Sequence, residues 1–328
     1  MRSKIAMAAL AGVLAWSFAA HASKLVILTD QVSGARARQI KAHIEGTLPF
    51  KALTSTEFSI EVQVLDPRAK PIKCQALTVK YTKAEIRSLE YWAKQKGIVL
   101  TKAELKKYRD GYTIDRVVQC DAAELVRLAA QFQADHALFV RNSPYEGGSG
   151  GSIPVILSGS REGIGLHEWL HTFGLADEYA YERNEAALFC QKKEFANVAV
   201  FNDQPPYFGS EDVRARHRDQ IKWLPFLGKE AALTHGDQLG SPTLGNLGIF
   251  RSKTCDNVTP ELRSWKPTGH PTIMEDPYSK YIPKPYWTVI LSGLGLSSAR
   301  IDELLKKTVA PTWTASREES PGSPPRVK

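Results

Sequence analysis

Lys24 to Asp30 carries the unbroken apolar run Leu25 to Leu28, and it predicts a buried strand. Arg36 to Ile44 follows with helical spacing, and Phe58 to Leu65 then alternates apolar and polar like a second strand. Strand, helix, strand in that order predicts an α/β sheet containing a parallel pair. Three later helix starts are marked by Thr82 with Glu85, Thr101 with Glu104 and Asp121 with Glu124. In each pair a side-chain oxygen and a carboxylate three residues on can satisfy the open N–H groups of a first turn. The helix from Asp121 to Gln133 leads into a strand over His136 to Val140, then a loop over Asn142 to Gly151. Ile153 to Leu157 reads as another short strand, and Pro154, with no N–H to give, predicts an edge position for it. Ile164, Leu166, Leu170 and Phe173 give the next helix its apolar flanks. From Phe189 to Pro285, proline, glycine and aromatics predict long loops. Helical patterning returns from Trp287 to Lys307 through Leu291, Leu294, Leu296, Ile301, Leu304 and Leu305. Pro311 to Lys328 holds prolines and little apolar material, which predicts a disordered tail.

Composition narrows the setting. Arg2 and Lys4, the apolar run Ile5 to Ala20 and the small-x-small triplet Ala20-His21-Ala22 form the pattern of a secretory signal over residues 1–22. No other stretch is long and apolar enough for a membrane span, so the expected product is soluble, without stable membrane insertion, and secreted or periplasmic. Export gives meaning to the four cysteines, Cys74, Cys120, Cys190 and Cys255, which predict two disulfides. Chain order favours Cys74 with Cys120 and Cys190 with Cys255, although sequence alone allows three pairings. The balance of 43 basic and 35 acidic residues leaves a formal charge of +8. The basic residues are spread, and runs such as Lys102 to Arg109 read as solvated helix faces, so no nucleic-acid surface is indicated. Residues 23–310 are long enough for one large domain, with an N-terminal lobe over 23–175 and a C-terminal lobe over 176–310.

The chemistry is concentrated in His167-Glu168-Trp169-Leu170-His171-Thr172-Phe173-Gly174-Leu175-Ala176-Asp177, of the form H-E-x-x-H-x-x-G-x-x-D. Positions four apart share a helix face, so His167 and His171 can point at one metal ion. Glu168 is one residue round from the first, within reach of a water on the metal rather than the metal itself. Gly174 lets the chain turn in a left-handed conformation, which brings Asp177 back as an oxygen ligand. Three protein ligands leave a fourth position open, the mark of a catalytic zinc. Glu178 has the same chemistry as its neighbour, and Glu182, Glu185 or Glu194 are the ligands that a continued helix would require. The run Gly147-Gly148-Ser149-Gly150-Gly151 lacks the Lys-Ser/Thr ending of a phosphate loop and reads as a flexible turn at the lip of a binding site.

The motif resembles that of the metzincin zinc peptidases, whose third ligand is His or Asp. Pro271-Thr272-Ile273-Met274-Glu275-Asp276 resembles their methionine turn below the metal. Three segments resemble the bacterial IgA-peptidase-like family: Arg141 to Gly151, Gly174-Leu175-Ala176-Asp177-Glu178-Tyr179, and Gly248 to Cys255. Leu170 stands where that family often has glycine, and the glycine turn is one residue shorter. The resemblance covers roughly residues 136–180 and 246–276. It implies an α/β (α+β) fold, with a metzincin-like mixed twisted sheet, an active-site helix and a loop-rich C-terminal subdomain. It also implies that the strand over 153–157 lines the cleft and pairs with an extended substrate. Tyr278, four residues past Met274, is either a group near the metal or oxyanion or a packed surface tyrosine, and Tyr179 is expected to support the site rather than react.

The expected activity is a secreted zinc endopeptidase. One Zn2+ is held by His167, His171 and Asp177, Glu168 is the general base, and the partner is a protein or peptide substrate. Two alternatives stand beside it: a secreted zinc-fold binding protein with little turnover, and a zinc amidase acting on cell-wall peptides.

Overall fold

Strand β1 (Ser23–Thr29) has Leu25 through Leu28 fully shielded from water, as its apolar run demands. In the computed structural model, which describes residues 22–66, 68, 71–95, 99–190, 194–202, 215–227, 247–258 and 262–308, it lies inside a five-stranded sheet. β1 runs parallel to β2 (Phe58–Val64) on one side and to β5 (His136–Arg141) on the other. Helix α1 (Gly34–Gly46) makes the crossover from β1 to β2 and buries Ala37, Ile40 and Ile44. β5 pairs in parallel with β7 (Val155–Leu157), and β6 (Gly148–Ser149) closes the sheet antiparallel to β7. The order is β2-β1-β5-β7-β6, a mixed sheet in an α/β protein, as expected.

The expectation of an edge position for 153–157 is corrected. Pro154 sits one residue before β7, so its missing N–H removes no ladder bond from the strand; its carbonyl still accepts from Phe139 at 2.9 Å. The true edge is β6, inside the segment read as a loop over 142–151.

Between β2 and α4 (Ala122–Gln131) stands an arm that the patterning revealed only in part. β3 (Cys74–Val79) and β4 (Tyr112–Cys120) form an antiparallel ribbon, and α2 (Lys83–Gln95) and α3 (Lys102–Asp110) lie between them. The predicted caps are present: Thr101 and Glu104 bond each other's backbone N–H at 3.2 and 2.7 Å, and Thr82 and Glu85 do the same at 3.3 and 2.7 Å. The Cys74–Cys120 disulfide closes the foot of the ribbon.

Helix α5 (Glu162–Leu170) packs under the sheet against α1, where Gly165 permits the approach; a Cβ there would lie 2.7 Å from Ile40 Cγ2. Trp169 anchors α5 in an aromatic stack with Phe50 and Phe58, at centroid distances of 5.2 and 5.7 Å. The core on this face also takes in Ile273, Met274 and the two last helices, α7 (Lys284–Gly293) and α8 (Ser298–Lys307). It therefore draws on residues from both sides of position 175. A second layer on the opposite face holds Val26, Leu28, Leu125, Phe139 and Val118.

Two further expectations are corrected. The region read as long loops contains β8 (Ala199–Asn202), β9 (Leu247–Arg251) and β10 (Leu262–Thr268), antiparallel in the order β8-β10-β9. Their own apolar cluster around Trp223, Phe201, Ile249 and Trp265 holds them, and strands this short give little periodicity to read. The Cys190–Cys255 disulfide ties this part to α6 (Arg183–Phe189). The single helical stretch over 287–307 is two helices, because Gly295 takes a left-handed φ of 80° and Ser297 caps a new start. The expected signal sequence, apart from Ala22, and the expected tail over 311–328 lie outside the described residues. Among the described residues no helix is long and apolar enough to cross a membrane.

Candidate metal centre

α5 tightens into a 3-10 turn over His171–Phe173 and stops at Gly174, whose φ of 80° is left-handed. The reversal that glycine permits is what returns Asp177 to the helix. His167 and His171 stand one turn apart, with ring centroids 4.8 Å from each other. Asp177 Oδ1 lies 2.9 Å from His167 Nε2 and 3.5 Å from His171 Nε2. One ligand atom from each residue falls within a 4.8 Å group, and it is the only such group among the described residues. Glu182, Glu185 and Glu194 do not join it.

The outer contacts decide which atoms face inward. His167 Nδ1 lies 2.8 Å from the carbonyl oxygen of Ile273, and His171 Nδ1 lies 2.7 Å from that of Leu175. A carbonyl only accepts, so each Nδ1 carries the hydrogen and each Nε2 turns a lone pair toward Asp177. Asp177 Oδ1 is buried and receives no hydrogen bond. Three lone-pair atoms meeting in a buried space repel one another unless a cation or a proton stands among them. Two imidazoles and a carboxylate on one helix and its returning loop suit a divalent ion of the zinc type. Without a cation, burial works against charge here, yet Asp177 beside it and Glu168 farther off carry His171 up to about 9. Burial likewise opposes ionisation of Asp177, and the two imidazoles outweigh it, holding the carboxyl well below its ordinary range.

Asp177 is fixed from behind. The hydroxyl of Tyr181 donates to its Oδ2 at 2.5 Å, and Thr254 Oγ1 donates to its backbone carbonyl at 3.0 Å. Asn197 holds Ala176 on both sides, accepting from its N–H at 2.7 Å and donating to its carbonyl at 2.8 Å. Glu178 faces the other way. Its buried carboxylate accepts from Asn197 Nδ2 at 2.9 Å, from Thr272 Oγ1 at 2.7 Å and from the Tyr286 hydroxyl. Burial pushes this carboxyl up to about 7 against the pull of Lys266. The choice between the two neighbouring acids is thus resolved geometrically: Asp177 enters the cluster and Glu178 braces it.

The turn at 272–276 belongs to the same assembly. Met274 is fully buried, its carbonyl accepts from the N–H of Glu178 at 2.8 Å, and Ile273 supplies the carbonyl that orients His167. Tyr278 does not reach inward. It is 44 % exposed, its hydroxyl donates to Glu146 Oε1 at 2.6 Å, and the Arg161 guanidinium lies 4.5 Å from its ring centre. Tyr179 touches Tyr181 edge-on at 5.6 Å, so the residue that bonds the ligand is Tyr181, which the sequence reading missed. A tyrosine four places past an aspartate carries no signal of its own.

Glu168 Oε2 lies 3.9 Å from His171 Nε2, beside the cluster rather than in it. The glycine-rich strand β6 lies directly against it. A Cβ on Gly148 would come 2.9 Å from Glu168 Cγ, and one on Gly150 would lie 3.5 Å from the His171 ring. Together these residues open onto a cleft of about 930 Å³, whose walls include Gly148 to Ser152, Tyr179, Tyr181, Glu185, Phe189 and Phe195, with Leu77, Val117 and Gln119 from the β3–β4 ribbon.

Fold and site define a mixed α/β protein with a candidate metal centre set beside a carboxylate at the floor of a cleft. No protein-family model matches the chain, and no curated protein matches it in sequence.

Proposed function

We propose that this chain is an exported zinc-dependent endopeptidase of metzincin type. His167, His171 and Asp177 hold the metal and Glu168 is the general base. The observation that carries the reading is the orientation of the two imidazoles. Both Nδ1 atoms are committed to backbone carbonyls, so both Nε2 lone pairs converge on an unpaired carboxylate oxygen, with a second carboxylate 3.9 Å from one of them. A divalent cation among these atoms would be met by all three at once. A zinc ion in this place would polarise a carbonyl and lower the pKa of a water to about 7.

The protein's own groups supply the rest. Glu168 removes a proton from the attacking water and returns it to the leaving amine, work generally worth about 10²–10⁴ in rate. Gly150, Gly151 and Ser152, just past β6, line the cleft beside the cluster, and an extended peptide would lie against them. Export agrees with the pattern of residues 1–22 and with two disulfides among the described residues.

The test is Glu168→Gln, compared with wild type on a broad mixture of peptides. The substitution keeps the size of the side chain and removes the base. Hydrolysis should fall by about two orders of magnitude or more, while bound metal stays at one equivalent per chain. Equal, negligible turnover by both proteins defeats the peptidase reading in favour of a binding role.

A further inference from the structure

The arm β3–α2–α3–β4 bears on what kind of polypeptide reaches the cleft. Its foot is fixed twice. The Cys74–Cys120 disulfide joins the two strands, and Ser149 Oγ on β6 donates to the carbonyl of Val118 at 2.5 Å. Val118 is buried in the layer on the outer face of the main sheet. From this foot the ribbon turns Leu77, Val117 and Gln119 into the same cleft as Glu168, His171 and Asp177.

The far part of the arm is held from the other side. Arg183, six residues beyond Asp177 at the start of α6, donates from Nη1 to the carbonyl of Leu89 at 2.7 Å and from Nη2 to that of Ser88 at 2.9 Å. Both acceptors lie on α2. A guanidinium presents its donors in a rigid planar fork, so one side chain fixes both position and orientation. The residues on either side of Arg183, Tyr181 and Glu185, line the cleft themselves. The chain thus makes a closed circuit around the site: from β6 through the ribbon to α2, across Arg183 to α6, and back along the loop to Asp177.

We propose that this arm, latched by Arg183, is the specificity device of the enzyme, admitting a flexible, extended polypeptide segment and excluding a scissile bond carried on a folded domain. The inference rests on the peptidase reading. An extended chain needs only about 5 Å of lateral space. A folded domain brings its body up to the site with its loop, and the arm stands in that path. Opening the circuit on this side breaks the bonds from Arg183 to α2, while the Cys74–Cys120 disulfide keeps the two strands of the ribbon together.

The experiment uses the full mature chain with its metal, and the variants Arg183→Ala and Arg183→Lys. Substrates are serum albumin in its native form and the same protein reduced and alkylated. Wild type should cleave the alkylated form and spare the native one. Arg183→Ala should raise cleavage of the native relative to the alkylated form by about tenfold, given the loss of two bonds from a charged donor. Arg183→Lys, which keeps the charge but not the fork, should fall between them. Amide hydrogen exchange across residues 83–110 should quicken in Arg183→Ala while metal content stays at the wild-type level. Unchanged exchange there overturns the latch. Faster exchange with an unchanged native-to-alkylated ratio overturns the specificity role and leaves the peptidase reading standing. A metal-loaded wild type that cleaves neither form removes the peptidase reading, and the specificity role with it.

Discussion

Tyr181→Phe deletes one hydroxyl from behind the metal site and leaves the ring in place. That hydroxyl lies 2.5 Å from Asp177 Oδ2, and the two residues are 6 % and 7 % exposed, so no bulk water replaces the lost donor. Burial, with Asp177 next in weight, pushes the tyrosine's own ionisation far above its ordinary value, so it stays a donor at any working pH. A hydrogen bond to a charged group is worth about 1.5–3 kcal/mol. Partners standing behind metal ligands typically change affinity by about 10–100-fold, equivalent to about 1.4–2.7 kcal/mol. Both routes give the same size of effect, and Tyr181→Phe should weaken zinc binding within that range. Competition against a fluorescent chelator of known affinity measures it directly. Tyr179→Phe is the control. It keeps its ring against Tyr181 and leaves the Tyr181 hydroxyl on Asp177, so its loss of affinity should be clearly the smaller of the two. Unchanged affinity in Tyr181→Phe, or an equal loss in Tyr179→Phe, refutes the reasoning that the buried hydroxyl fixes the ligand carboxylate.

Gly148→Ala places a methyl 2.9 Å from Glu168 Cγ and 3.1 Å from the Val155 carbonyl. The overpacking should displace the base, cost about 1–3 kcal/mol and cut the peptidase rate while leaving metal content intact; normal turnover would show that β6 does not position Glu168. Glu178→Ala strands Thr272, Asn197 and Tyr286 in the interior without their shared acceptor. At about 1–3 kcal/mol for each buried group, the loss should be at least about 3 kcal/mol, seen as a fall of about 6–12 °C in Tm. A Tm within a degree or two of wild type would mean that the brace contributes nothing.

How much of this was legible from sequence follows from how local each signal is. The helix carrying His167 and His171, the turn at Gly174 and the return of Asp177 depend on residues within eleven positions, and spacing alone conveys them. The parallel pair β1 and β2 was legible for the same reason, as a dense apolar run, a helix and an alternating run in succession. The position of β7 was not, because Pro154 signals an edge only if it lies inside the strand, and it falls one residue short. Tyr181, Asn197 and the ribbon wall at Leu77 and Val117 owe their roles to contacts made through the fold. Asn197 reaches Ala176 across 21 residues of chain, and Thr272 reaches Glu178 across 94. No periodicity encodes such meetings. The β8-β10-β9 sheet escaped for a different reason: its strands are short, held by Trp223 and Trp265, and they lie in proline- and glycine-rich sequence that outweighs their own pattern.

Everything functional in this account depends on one cation held by His167, His171 and Asp177. Elemental analysis of the purified mature protein, alongside His171→Ala and Asp177→Ala, tests that most directly. One equivalent of zinc per wild-type chain is expected, and its loss from both variants, with the variants still folded by circular dichroism. Zinc kept at full stoichiometry in either variant, or no divalent metal in a folded wild type supplied with zinc, contradicts it.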